Sequence, residues 1–140
     1  MYRSIVLIAL ALVCTSCDTK QRTYEKYVAV VAKDTSAYMG SDATLAYESK
    51  LSFLDYVRKL QTAVAPIPLP YDVIYVWTYA RLGLLAEHLG KKEEAARFFR
   101  LAFAYAKKVD QRGDTVTGEA AIRAALDKMD TPDKVAWRRQ

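Results

Sequence analysis

Residues Tyr71 to Lys108 read YDVIYVWTYARLGLLAEHLGKKEEAARFFRLAFAYAKK, and this stretch decides the fold class. Asp72 sits where a carboxylate favours the first turn of a helix, and the apolar pattern then runs to about Leu89. Gly90 follows, a residue that closes a helix by entering the left-handed region. Lys91-Lys92-Glu93-Glu94 opens a second helix that reaches about Val109. Its apolar residues Ala95, Phe98, Phe99, Ala102 and Ala106 share one face, whereas Arg97, Arg100 and Lys107 point away. Two helices joined by so tight a turn must lie antiparallel.

The same stretch resembles one tetratricopeptide repeat. Leu82 and Gly83, Ala86, Gly90, Ala95, Phe99 and Ala102 stand in the register of that family's pattern, with Tyr79 at its Trp-like position. Lys107 stands where the family usually has Pro. The physical logic of the pattern is close approach: small residues let two helix backbones meet while Leu82 and Phe99 fill the space between them. The resemblance covers about 34 residues, and one such unit cannot bury its own faces. It implies helical neighbours on either side and, as a family property, a scaffold that holds a peptide or partner helix.

Working outward, Ala43 to about Ala63 reads as a helix with Asp42 as N-cap and an apolar face of Tyr47, Leu51, Leu54, Val57 and Leu60 with Gln61. Lys50, Asp55, Arg58 and Lys59 fall largely off that face. Pro66, Pro68 and Pro70 then impose an extended connector, because proline lacks an amide hydrogen and restricts its predecessor. On the far side of the hairpin, Thr115 to Met129 reads as a helix with Asp114 as N-cap and a seam of Ile122, Leu126 and Met129. A last turn around Val135 to Trp137 either folds back or frays. Upstream, Lys20 to Lys33 reads as a helix or as a tether, and Ser36 to Asp42, containing Gly40, as a turn. The expectation is an all-α protein: a small antiparallel helical bundle or short tetratricopeptide-like solenoid of four to five helices.

The N-terminus carries a different message. Met1-Tyr2-Arg3-Ser4 precedes the nine-residue apolar run Ile5 to Val13, too short for a transmembrane helix but suited to a signal peptide. Cys14-Thr15-Ser16-Cys17 resembles a lipobox, at which signal peptidase II cleaves before a cysteine that receives a diacylglyceryl thioether. Small Thr15 and Ser16 fit the pattern, and Cys14 stands where Leu is usual. The resemblance implies a bacterial lipoprotein with a signal over residues 1–16 and acyl lipid on Cys17. A tether or first helix over 17–41 and a helical domain over 42–140 would follow. A plain secretory signal or an uncleaved anchor is the alternative. Cleavage before Cys17 leaves no second cysteine, so the domain is held by its core and not by disulfides.

The full chain has a net charge of +5, spread along its length, which argues against nucleic acid as a partner. Lys20 and Arg22 lie near the anchor, where anionic lipid headgroups would attract them. His88 is the single histidine, at a helix end where the last carbonyls would hold it. With no further histidine, no metal site is expected. Glu93 and Glu94 are adjacent on a helix and diverge, so no catalytic residues are nominated and no cofactor is expected beyond the covalent lipid. Tyr71, Tyr75 and Trp77 are the candidate partner-binding residues, since Tyr and Trp are enriched at binding hot spots; core packing is the competing reading. The expected role is a non-enzymatic, membrane-anchored scaffold for another envelope protein. A surface lipoprotein without a groove and a glycan- or peptidoglycan-binding module are the alternatives.

Overall fold

The computed structural model describes the backbone of residues 2–110 and 118–139, and the side chains of residues 18–109 and 118–139. It is all-helical: α1 (Tyr2–Met39), α2 (Ala43–Thr62), α3 (Tyr71–His88), α4 (Lys92–Asp110), α5 (Glu119–Met129) and a short 3-10 turn (Ala136–Arg139). The described residues contain no strand, and the helices pack as a bundle around one hydrophobic core.

The most extensive interface joins α3 to α4, and glycine makes it possible. A Cβ placed on Gly83 would lie 2.6 Å from the ring of buried Phe99, far inside van der Waals contact. At the turn, Gly90 takes φ +73°, its amide donates to the Glu87 carbonyl at 3.0 Å, and the Lys91 amide donates to that of Ala86 at 2.8 Å. These paired bonds satisfy carbonyls that the end of a helix leaves open. Around the hairpin, α3 is buried nearly all round, between α2 and α4. Tyr75 stacks at 4.8 Å on Tyr105, and Tyr79 lies 5.7 Å from Tyr105 and 6.2 Å from Phe98.

Asp42 caps α2 as expected, its Oδ1 accepting from the Leu45 amide at 3.0 Å. The buried face of α2 differs from the expected one. Leu51 is 37% exposed, while Lys50 is 4% exposed among Ala46, Tyr47, Phe53, Leu54 and Val57. Asp34 of α1 lies opposite and forms an ion pair with Lys50, which makes burial of the amine tolerable. The expected turn from Ser36 is also shorter: α1 continues to Met39, because Tyr38 is a core residue and its packing overrides local turn preference. From Tyr27 onward α1 contributes to the same core, so residues 27–38 serve as a first helix of the bundle.

Ile122 and Leu126 of α5 are fully buried, but Met129 is exposed, because the buried seam advances in steps of four from Leu126 to Asp130. Expected N-cap Asp114 and the start at Thr115 lie outside the described residues. Arg123 pairs with Glu87, and Asp130 pairs with Arg81, so α5 runs against α3. The segment after α5 folds back. Val135 and Trp137 are buried, and the Trp137 amide and indole N–H donate to the carbonyls of Gly40 and Tyr38 at 3.0 and 2.8 Å.

The bundle thus has two distinct ends. One carries the turns at Gly40 and Gly90, with Trp137 edge-on to Tyr38 and His88. The other carries residues 63–70, where Pro66, Ile67 and Pro68 border a recess with Lys20 and Tyr24 of α1. At that end Val64 takes φ 51°, a region in which a β-branched residue is strained.

Two substitutions test these backbone constraints. Gly83→Ala gains helix propensity but drives a methyl into Phe99, and a net loss of about 1–2 kcal/mol in urea unfolding is expected. Val64→Gly relieves the left-handed strain and should raise stability by about 1 kcal/mol in the same measurement.

Candidate functional site

The three aromatics singled out in the sequence do not form one surface patch. Tyr71 is half-buried and its hydroxyl donates to the Ala65 carbonyl at 2.7 Å, fastening the proline connector. Tyr75 is 2% exposed and donates to Gln61 Oε1 at 2.8 Å; burial pushes its phenol up to about 12. Trp77 is half-buried and packs against the core. Tyr75 belongs to the interior, then, and Tyr71 and Trp77 keep part of their surface. Cys17 falls within the backbone of α1, and its side chain lies outside those described. His88 is exposed, its ring 5.2 Å from that of Trp137. Of the paired glutamates, Glu94 accepts the Tyr47 hydroxyl, and Lys91 lies 4.2 Å above the Tyr47 ring.

One concave feature among the described residues is a groove of about 870 Å³ between α1 and α2. Val30 and Ala37 of α1 and Leu45, Phe53 and Tyr56 of α2 supply its apolar lining; Lys33, Glu48 and serines including Ser36 and Ser52 supply the polar part. Leu45 is an exposed apolar residue within it. Tyr56 hydroxyl is shielded from solvent and has no hydrogen-bond partner among the described residues, and burial raises its pKa above the ordinary phenol value. An unmade hydrogen bond at a shielded hydroxyl costs about 1–3 kcal/mol, a local cost that the surrounding packing carries.

Buried ion pairs stand in and behind the wall of this groove. Asp34 lines it and accepts from Lys50 and, at 3.4 Å, from Ser49 Oγ. Burial pulls the Lys50 amine below its ordinary value, against the opposing pull of Asp34. Behind this pair, Asp130 accepts two bonds from Arg81, at 2.7 and 2.9 Å, and one from the Tyr38 hydroxyl at 2.9 Å. Burial alone would raise the Asp130 carboxyl, but the Arg81 hydrogen bonds and charge outweigh it and hold the group below the usual carboxylate value. Tyr38 is raised, first by burial and then by the Asp130 charge.

Among the described residues, no group of three or more His, Cys, Asp or Glu is placed to hold a metal, and no helix is long and apolar enough to cross a membrane. No family model matches the chain, and no curated protein or solved structure matches it either. The groove residues Asp34 and Tyr56, and Lys50, which pairs with Asp34 from the core, were not singled out from the sequence. One signal for them was present: Ala46, Lys50, Phe53 and Val57 follow one helical face, with a lysine in an apolar position.

The Asp130 cluster gives a pH dependence of known sign. Its folded-state pKa is depressed, so its stabilisation is present above the ordinary carboxylate range and is lost as pH falls through the folded value. Asp130→Asn should cost about 3–5 kcal/mol at neutral pH by leaving Arg81 without its buried partner. Urea midpoints measured from pH 7 downward should converge for the two proteins once the native carboxylate is protonated.

Proposed function

We propose that this chain is a lipid-anchored, non-enzymatic scaffold of the bacterial envelope that binds a partner protein in the α1–α2 groove. The observation that carries the reading is the groove itself, an open concavity lined by exposed Leu45 together with Val30, Phe53 and Tyr56. Its chemistry suits an amphipathic segment: apolar side chains against Val30, Leu45 and Phe53, and polar groups against Lys33, Glu48 and Ser52. The ion pair of Asp34 with Lys50 neutralises charge in the wall, so the segment need not be cationic. The tetratricopeptide resemblance of Tyr79 to Ala102 supports a scaffold role by family analogy alone, since the groove lies on a different helix pair. The anchoring half of the reading rests on the lipobox-like residues before Cys17.

A photo-crosslinking residue at Leu45, introduced into cells making the full chain, tests the groove. One dominant envelope protein should be captured, capture should fall at least tenfold in Ser52→Trp, whose indole fills the channel, and Trp77→Ala should leave it intact. Loss in Trp77→Ala with retention in Ser52→Trp would move the site to α3. No specific capture from Leu45 would favour a surface lipoprotein without a groove. In parallel, Cys17→Ala should abolish fatty-acid labelling and release the chain from membranes; persistent labelling would refute the anchor assignment.

A further inference from the structure

The bundle end opposite Gly40 and Gly90 exposes apolar side chains that no contact among the described residues explains. Val64 is 84% exposed, Leu69 is 52% exposed and Tyr24 is 47% exposed. Tyr24 borders the proline connector, so the three lie at the same end of the molecule. Val64 adds a second anomaly. It holds φ 51°, where glycine or asparagine would sit without strain, and it projects its side chain into solvent. A strained backbone carrying an exposed aliphatic side chain gains nothing for the isolated domain.

Position supplies the occupant. Along α1, Tyr24 is seven residues beyond Cys17, about 10 Å at the helical rise. Residues 1–16, whether a cleaved signal or a retained anchor, lead into the same end. Exposed Lys20 borders the same recess as Tyr24, and exposed Arg22 lies on the same turn of α1, as suits anionic headgroups. We infer that this end is a membrane-contacting face on which Val64, Leu69 and Tyr24 enter the boundary between headgroups and acyl chains of an anionic bilayer. The inference rests on the anchoring part of the proposed function and adds an orientation to it: the domain stands on its connector end, with the Gly40 and Gly90 turns pointing away from the lipid. Apolar insertion beside a covalent lipid provides a second membrane signal, of the kind that makes anchoring persistent.

The test uses the full lipidated protein, purified in detergent and returned to vesicles of phosphatidylethanolamine and phosphatidylglycerol. In the mature chain Cys17 is blocked by lipid, so Val64→Cys and, separately, Leu45→Cys each offer one thiol for an environment-sensitive fluorophore. The fluorophore at position 64 should shift to the blue and be quenched severalfold by brominated lipid, while that at position 45 should keep the emission seen in water. Equal, water-like emission at both positions in a protein that carries its lipid would overturn the membrane face and leave the anchor standing. A blue shift at position 64 without brominated-lipid quenching would assign the patch to protein contact and equally overturn it. A chain that carries no lipid and stays free of vesicles would overturn both readings. As a check that folding is not the readout, Val64→Gly, which relieves the backbone strain, should keep its fold yet dissociate faster from the vesicles than the unsubstituted protein.

Discussion

Asp130 is the point at which three distant stretches of chain meet. Its carboxylate takes two hydrogen bonds from Arg81 in α3 and one from Tyr38 in α1, in a pocket nearly closed to water. A charge so placed is tolerable only while both partners are present, because an unpaired buried carboxylate is far more costly than the pair. The cluster therefore acts as a geometric condition: α1, α3 and the end of α5 must reach one another in a single arrangement. Trp137 extends the junction by bonding the carbonyls of Tyr38 and Gly40. In a chain whose described residues include no disulfide-forming pair of cysteines, such a junction is what fixes the relative placement of the first helix.

The α3–α4 hairpin obeys a different logic. There the close approach at Gly83 and the stack of Tyr75, Tyr79, Tyr105 and Phe98 make a dense, largely apolar interface. The α1–α2 pair is held instead by an ion pair and by small residues, and it remains open along one side as the groove. Dense packing in one hairpin and polar closure in the other give a rigid platform beside an unfilled channel. That division is compatible with a scaffold, which must keep its shape while leaving surface unspent.

Much of this architecture is legible in the residues. The helical hairpin follows from the periodicity of Tyr71 to Lys108 and from Gly90, and the start of α2 follows from Asp42. What escapes a linear reading is any position whose environment depends on a residue far away. Leu51 looks like core and Lys50 like surface until Asp34 is placed across from them. Met39 looks like a turn residue until Tyr38 beside it is seen to pack on Trp137. Of the candidate aromatics, Tyr75 went to the core for the same reason: its ring partner Tyr105 is thirty residues away on another helix. Tyr56 could not be recognised at all from its own helix, since an unmade hydrogen bond is a property of its surroundings.

The sequence separation within the Asp130 junction carries a consequence for the order of events during synthesis. Tyr38 and Asp130 are 92 residues apart, and Tyr38 and Trp137 are 99 apart. While the ribosome is still making residues 130–137, α1 can pair with α2 through Asp34 and Lys50 but cannot yet form its junction with Asp130 and Trp137. Contacts of such long range form late and slowly. The first helix and the last turn therefore meet only when nearly all of the chain has been made, which makes this junction the closing step of the fold.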